Sequence, residues 1–198
     1  MQLARVIYPV ETLGPGKRIA IWTAGCSKRC EKCINPELWN SNESREIAVL
    51  VLLKQIEQTA ENNQVDGITI TGGDPLEQKE ALLELISNLH PVFQDILIYT
   101  GFTLDEINKE WDDLELETLH KNTGVLIDGR YSHELNDNLC PLRGSSNQEI
   151  HYFDESLQPT YEKYLCERGR CIQNFYGSTG LISVGIHNRE EYINGATI

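Results

Sequence analysis

Apolar residues along most of this chain recur in two alternating patterns, one typical of strands and the other typical of helices. Short apolar runs predict β-strands, at Leu3–Tyr8, Arg18–Trp22, Asp66–Ile70, Ile96–Tyr99 and Val125–Ile127. The segments between these runs predict helices, at Ser44–Glu61 with Ser44 as the N-cap, at Glu77–Leu89 and from Leu104 to about His120. Strands that alternate with helices of this length favour βαβ units and a parallel sheet. The predicted fold class is therefore α/β.

The pattern changes near residue 153. The predicted elements around and beyond that point are a strand at Gln148–Phe153, a polar helix at Asp154–Leu165 and a hairpin made by Arg170–Tyr176 and Leu181–Ile186 around Gly177-Ser-Thr-Gly180. We therefore predict a main domain, residues 1–153, and a C-terminal extension, residues 154–198, that packs on it.

Length and composition indicate a protein with a single buried core. At 198 residues, 40% of them hydrophobic, the chain is long enough for one domain. Its longest apolar run, Ile47–Leu53, is far shorter than the ~20 residues that cross a bilayer. The first residues lack the apolar segment of a signal peptide. We expect a soluble cytoplasmic protein that does not enter a membrane.

The formal net charge of −13 restricts the partners that the protein can attract. It opposes binding of nucleic acid through a basic face, and it opposes attraction to an anionic membrane surface. It is compatible with a partner that presents a basic surface, and equally with an ordinary well-solvated surface.

Three cysteines lie within eight residues, in the segment Cys26-Ser-Lys-Arg-Cys30-Glu-Lys-Cys33. Structural zinc sites normally take four protein ligands. A [4Fe–4S] cluster takes one ligand for each iron, so three thiolates leave one iron open to a ligand that is not protein. The spacing alone leaves two hypotheses open, a cluster with an open iron and one part of a zinc site.

Polar and glycine residues follow the predicted strands at several places. They are Gly72, Gly73, Asp74, Thr100 and Asp128, and a polar loop at Arg143–Gln148 adds Arg143 and Asn147. In parallel α/β sheets ligands bind at the carboxyl ends of the strands, so these residues are expected to converge with the cysteine loop on one edge.

Each of these residues also has a structural interpretation. The two glycines fit an ordinary turn, and Thr100 fits a strand-to-helix turn in which Thr103 caps the next helix. Asp128 fits an ion pair with Arg130 or Arg143, and the loop after residue 143 fits an ordinary polar connection. The sequence leaves both interpretations open.

Cys26, Cys30 and Cys33 resemble the cluster motif of the radical S-adenosylmethionine (SAM) superfamily. The flanking sequences resemble the activating enzymes of anaerobic ribonucleotide reductase and their uncharacterised 4Fe-4S single-cluster relatives. The segments that carry this resemblance are Trp22-Thr-Ala-Gly-Cys26, Cys33-Ile-Asn-Pro-Glu-Leu-Trp39, Thr71-Gly-Gly-Asp-Pro75, Tyr99-Thr-Gly-Phe102, Leu126-Ile-Asp-Gly-Arg130 and Arg143-Gly-Ser-Ser-Asn-Gln148. The resemblance runs from about Lys17 to Phe153.

The resemblance implies a partial, open β/α barrel with a small C-terminal appendage. It implies an oxidoreductase that reductively cleaves SAM at a [4Fe–4S] cluster to a 5′-deoxyadenosyl radical, which then abstracts hydrogen from a glycine of a partner protein. The implied cofactors are the cluster and SAM. The implied partners are a large glycyl-radical enzyme of the ribonucleotide reductase type and an electron donor such as flavodoxin or ferredoxin, working under anaerobic conditions.

The resemblance also implies roles for particular residues. The three cysteines would bind the cluster, the Gly72-Gly73-Asp74 segment would receive the SAM ammonium group, and Thr100 would approach the ribose or the carboxylate. Asp128, Arg143 and Asn147 would lie near SAM. One departure is Lys32, because many members of the superfamily place an aromatic residue just before the third cysteine, against the adenine. The adenine contact is therefore unassigned.

Two other functions are considered. The first is a radical SAM enzyme that modifies a small molecule or a peptide, with the extension covering the mouth of the barrel. The second is a zinc-binding interaction module that uses Cys30, Cys33 and two later cysteines. Cys140, Cys166 and Cys171 match no known spacing, and they are interpreted either as structural thiols or as ligands of an additional metal site.

Overall fold

A six-stranded sheet lies at the centre of the protein, and its strands follow one another across the sheet in chain order. The computed structural model describes residues 1–177 and 180–188. The strands are β1 (Leu3–Val10), β2 (Arg18–Thr23), β3 (Gly67–Gly72), β4 (Ile96–Tyr99), β5 (Val125–Asp128) and β6 (Glu149–Tyr152). β2 to β5 are parallel, whereas β1 and β6 pair antiparallel at the two edges. The prediction of an α/β fold with a mostly parallel sheet is confirmed.

Four helices cover one face of this sheet. They are α1 (Val49–Glu61), α2 (Lys79–Leu89), α3 (Leu104–Glu110) and α4 (Asp113–Asn122). Alternate strand residues such as Ile19, Ile68 and Ile96 point into a core shared with Leu52 and Leu85 of the helices. This alternation follows from the pleat of a strand, in which successive side chains point to opposite faces.

The N-cap of α1 lies four residues later in the chain than the sequence predicts. Ser44 lies in a short 3₁₀ turn, and the N-cap of α1 is Ala48 in an extended conformation. The amide of Ile47 donates to the carbonyl oxygen of Met1, at 2.9 Å, and Glu46 pairs with Gln2. Pairing with the chain terminus therefore holds residues 46–47 extended, which a local capping signal does not reveal.

The helical stretch predicted from Leu104 to His120 is two helices. Asp112 forms a capping box with Glu115, in which each side chain accepts a hydrogen bond from the other residue's backbone amide. Trp111 and Asp112 are extended at the break between the two helices. An acidic residue three positions before a glutamate is a start signal, and here it starts a second helix.

The C-terminal part of the chain covers the other face of the sheet. After the edge strand β6, it consists of α5 (Gln158–Glu167) and a separate hairpin of β7 (Gln173–Gly177) and β8 (Gly180–Val184), and these two elements cover that face. Tyr161 and Tyr164 pack on β4 and β5, and Val184 packs on Trp22 of β2. The predicted hairpin is confirmed, although its tip residues 178–179 and the last part of the predicted extension, 189–198, lie outside the described residues. The division at residue 153 stays a prediction.

In the described part of the chain, no helix has the length and apolar character needed to span a membrane.

A buried ion pair lies between the sheet and α5. The side chain of Arg18 is fully buried and binds both carboxylate oxygens of Asp95, at 2.7 and 3.0 Å. It also donates to the hydroxyl of Thr69 and to the carbonyl oxygen of Ile68. The phenol of Tyr161 in α5 donates to the same carboxylate at 2.7 Å. The pair therefore connects β2, β3, the start of β4 and the C-terminal helix.

We expect Arg18→Met to lower the free energy of unfolding by about 3 kcal/mol or more, because it leaves the carboxylate of Asp95 without its cation. Urea unfolding followed by circular dichroism measures this. The control is Arg5→Met, which removes the partly exposed pair with Glu37 and should cost about 1 kcal/mol or less. Equal losses in the two variants would contradict a dominant role for the buried pair.

Candidate functional site

The loop after β2 carries the three cysteines, and all three line one pocket at the carboxyl edge of the parallel strands. The pocket has a volume of about 230 Å³. The predicted site residues that line it are Cys26, Cys30, Cys33, Gly72, Gly73, Asp74 and Thr100. Asp128, Arg143 and Asn147 do not line it. The structure thus brings most of the predicted site together around the cysteines.

The cysteine loop is fixed to the rest of the protein on both sides. Its start is paired with the 3₁₀ turn at residues 36–38, through Gly25 N to Leu38 O at 2.8 Å and Cys26 N to Trp39 O at 2.9 Å. The ammonium group of Lys28 lies 3.6 Å from the ring centre of Phe102. The thiols are therefore held at one place on the sheet edge.

Burial raises the pKa of the Cys26 and Cys33 thiols. Within the described part of the chain, the indole N–H of Trp39 makes no hydrogen bond of ordinary geometry, yet it lies near enough to Cys33 to oppose the rise in the pKa of that thiol. Thiolates bind metals, and a bound metal ion stabilises the thiolate against the cost of burial. The indole N–H is a donor placed to stabilise such a thiolate.

The number of thiols in the pocket fits a [4Fe–4S] cluster that has one iron open to another ligand. All six cysteines are free, and three of them share the pocket. Among residues 1–177 and 180–188, no three histidine, cysteine or acidic side chains converge on one ion position. Structural zinc sites normally take four protein ligands, whereas three thiolates can each bind a different iron of a [4Fe–4S] cluster and leave the fourth iron open.

Gly72 and Gly73 allow β3 to approach the cysteine loop closely. Gly72 has a φ of 122°, and a Cβ atom on Gly73 would collide with the carbonyl group of Gly25. The amides of Gly73 and Asp74 donate to the carbonyl oxygens of Thr23 and Gly25, at 2.9 and 2.8 Å. The need for glycine at these positions therefore arises from backbone packing beside the first cysteine.

The carboxylate of Asp74 joins the ends of two strands. It is only 1% exposed, and it accepts hydrogen bonds from the Thr100 hydroxyl at 2.9 Å, from Gly101 N at 2.8 Å and from Leu76 N at 3.1 Å. Burial raises the pKa of Asp74 to about 6, and these three hydrogen bonds limit the rise. The side chain therefore organises the edge of the pocket through protein donors.

Thr100 is fixed by the same network. Its hydroxyl donates to Asp74 and accepts a hydrogen bond from Phe102 N at 3.1 Å. Thr103 caps α3 through a capping box with Glu106, so the predicted strand-to-helix turn is confirmed. Thr100 therefore belongs to this strand-to-helix turn and also lines the pocket.

Asp128 holds the start of α3 and the start of β6. Its carboxylate accepts hydrogen bonds from Leu104 N at 2.6 Å and Glu149 N at 3.2 Å. Nε2 of His151 lies 3.1 Å from the carboxylate, without the angles of a hydrogen bond. The basic side chain beside Asp128 is therefore His151, and not Arg130 or Arg143 as in the structural interpretation of the sequence.

Arg143 and Asn147 bind within their own part of the chain. Arg143 donates to the carbonyl oxygen of Gln148 at 3.0 Å, and Asn147 donates to that of Arg130 at 2.8 Å. From this loop Gly144 and Gln148 line the pocket instead.

Several pocket residues were not identified from the sequence. They are Lys28, Tyr99, Gly101, Tyr131, His133, Asn136, Gln148 and the segment 183–188. Alternation along β4 could have indicated Tyr99, because it lies on the same face as Leu97. Its hydroxyl is buried and has no hydrogen-bond partner among residues 1–177 and 180–188, and burial raises its pKa well above the usual value. The other residues lie in loops, where the sequence has no comparable signal.

The remaining cysteines lie apart from this loop in the sequence and do not line the pocket. Cys140 packs against the apolar cluster under α5, and Cys166 and Cys171 are exposed. In the described residues they form no metal-binding group with histidine or acidic side chains.

Comparison with known proteins points to iron–sulfur chemistry. The family model of the 4Fe-4S single cluster domain matches residues 12–151. The chain is 31% identical over 153 residues to the anaerobic ribonucleoside-triphosphate reductase-activating proteins of Escherichia coli (strain K12) and Salmonella typhi, covering 73% of this chain and 95% of each relative. It is 32% identical over 149 residues to the protein of that name from Enterobacteria phage T4, covering 73% of this chain and 90% of the relative.

Asp74 predicts a pH dependence of stability. Because the folded-state pKa of about 6 lies above the ordinary value of 3.8, the folded chain binds this proton more tightly, and stability falls as pH rises through that window. Between about pH 5 and about pH 7 the wild type should lose about 1 kcal/mol more than Asp74→Asn. Urea unfolding of the cluster-free protein at both pH values measures the difference. Parallel pH profiles for the two proteins would show that Asp74 does not titrate in this range.

Proposed function

Because this chain belongs to the 4Fe-4S single cluster domain family and to that of the anaerobic ribonucleoside-triphosphate reductase-activating proteins, we propose that it is a radical SAM activating enzyme. Cys26, Cys30 and Cys33 hold a [4Fe–4S] cluster, and SAM binds in the pocket beside it. The observation that carries the proposal is that these three thiols and the glycine-rich end of β3 line one pocket.

When bound, the cluster supplies the electron that cleaves SAM to methionine and a 5′-deoxyadenosyl radical. The protein contributes the binding and orientation of both cofactors. The paired backbones of Gly25 and Asp74 set the distance between the cysteine loop and β3. The hydrogen bonds of Asp74 to Thr100 and Gly101 fix the end of β4 beside it. Loops fixed in this way keep the pocket in one shape without reorganisation during the reaction.

The sheet serves as an open, partial β/α barrel. Four parallel strands follow one another in chain order, and the pocket lies at their carboxyl ends. Ligands bind at this edge in parallel α/β folds. The extension from residue 154 packs on this barrel as an appendage.

The proposed partner is a large glycyl-radical enzyme of the ribonucleotide reductase type, from which the radical abstracts a glycine hydrogen. The similar proteins are named anaerobic ribonucleoside-triphosphate reductase-activating proteins. The net charge of −13 would suit a basic face on the partner. An electron donor such as flavodoxin or ferredoxin would reduce the cluster.

A second candidate keeps the cofactors and changes the substrate to a small molecule or a peptide. The observation that favours it is the position of the extension, because residues 183–188 line the same pocket as the cysteines. A wall built from the extension narrows the access that a large partner would need. The zinc-binding module receives no such support, since the matched family binds a 4Fe-4S cluster.

The test is anaerobic reconstitution with iron and sulfide, reduction with dithionite and addition of SAM, followed by mass spectrometry for 5′-deoxyadenosine. We expect product from the wild type and from Cys166→Ala, because that thiol is exposed and does not line the pocket. Cys30→Ala should lower product formation by about 100-fold or more, because it removes a cluster ligand.

An iron–sulfur cluster that forms in the wild type without SAM cleavage would contradict the SAM reaction and leave only the cluster assignment. Zinc without iron, and no cleavage, would contradict the enzyme and favour the interaction module. With cleavage established, adding a candidate reductase and recording its electron paramagnetic resonance spectrum tests for the glycyl radical.

A further inference from the structure

Arg170, in the connection between α5 and β7, is a buried cation that the proposed chemistry does not use. Its side chain is only 3% exposed. Its guanidinium donates to the carbonyl oxygens of Cys140, Arg143 and His187, each at 2.9 Å, and to the amide oxygen of Asn136 at 2.7 Å. A buried guanidinium is costly unless its donors are satisfied. Arg170 therefore fixes the groups that surround it.

These acceptors belong to two segments that line the cysteine pocket. The first is the loop at residues 131–148, and the second is residues 183–188, here named the strap. The strap is also held by the hydroxyl of Thr12, which donates to the carbonyl oxygen of Val184 at 2.9 Å. Gly185 has a φ of 142°, and a Cβ atom there would collide with the carbonyl group of Cys171. These contacts fix the backbone of the strap where it lines the pocket.

Arg170 also sets the orientation of a chain of polar groups. Because its guanidinium donates to the amide oxygen of Asn136, the amide nitrogen of Asn136 must be the atom 3.2 Å from the Tyr131 hydroxyl. That hydroxyl accepts from Asn136 and also makes a hydrogen bond with Nδ1 of His133, at 3.3 Å. All three of these residues line the pocket.

The strap adds apolar surface to these polar groups. Val184 and Ile186 line the pocket together with Leu13 and Trp22, and Val184 is buried against Trp22. Apolar walls with a few oriented hydrogen-bonding groups are typical of pockets that bind small molecules and cofactors, and the adenosyl group of SAM is of this kind. The strap lies beyond residue 151, where the family match ends, so this part of the wall is a feature of this chain's extension.

We propose that Arg170 is a positioning residue that holds the strap and the Tyr131–His133 pair as the wall that binds the adenosyl group of SAM. This inference rests on the proposed function. Arg170 acts through the residues that it holds.

The experiment compares Arg170→Met and Arg170→Lys with the wild type after anaerobic cluster reconstitution. Equilibrium dialysis gives the Kd of SAM for each cluster-loaded chain, and SAM cleavage gives KM and kcat. We expect Arg170→Met to raise the Kd and KM by about tenfold with kcat and iron content little changed, and Arg170→Lys to lie between the two proteins. The matched control is Arg168→Met, because that residue lies outside the pocket and should leave the Kd within about twofold.

Gly185→Ala provides a second variant in case Arg170→Met does not fold. It displaces the strap while Arg170 stays intact, and it should also raise the Kd of SAM. Thermal unfolding followed by circular dichroism identifies variants that have lost the fold. If the wild type binds SAM and both Arg170→Lys and Gly185→Ala bind it equally well, the inference is wrong and the proposed function stands. If the wild type neither binds nor cleaves SAM, the proposed function itself fails.

Discussion

The buried guanidinium of Arg18 places a constraint on which the rest of the structure depends. A cation without access to water must be surrounded by acceptors, and here these come from β3 and from Asp95 at the start of β4. Asp95 in turn accepts a hydrogen bond from Tyr161 of α5. The same pair that aligns the parallel strands therefore fixes the C-terminal helix on the open face of the sheet. The hairpin and the strap continue from that helix, so the pocket wall that they form is coupled to the centre of the sheet.

A second buried charge organises the opposite end of the strands. Asp74 binds Thr100 and Gly101, and the backbone beside it pairs with the start of the cysteine loop. Three strand ends are thus connected by short hydrogen bonds around one carboxylate. Burial of that group raises its pKa, because a charge is stabilised less well inside the protein than in water. The buried, ionised carboxylate of Asp74 therefore lowers the free energy of unfolding at neutral pH, while its hydrogen bonds hold the ends of β3 and β4 in place.

Much of the site could be predicted because its residues follow strands directly. Parallel strands end at one edge, so the cysteine loop, the glycines after β3 and Thr100 after β4 had to come together. Asp128 also follows a strand, but its carboxylate turns to the amides of Leu104 and Glu149. Position along the chain gives the edge on which a residue lies, whereas the direction of its side chain depends on which donors are nearby.

The sequence by itself determined the order of strands and helices, the α/β class and the triad of thiols, because periodicity, spacing and residue chemistry are local properties. It did not determine where α1 begins, since the pairing of Ile47 with Met1 joins residues far apart in the chain. Nor did it show that Arg170 would meet the carbonyl groups of Cys140 and His187. Those contacts form only when the extension packs across the sheet, because a buried cation takes whichever acceptors the folded chain brings to it. Only the tertiary structure decided that the extension is part of the pocket.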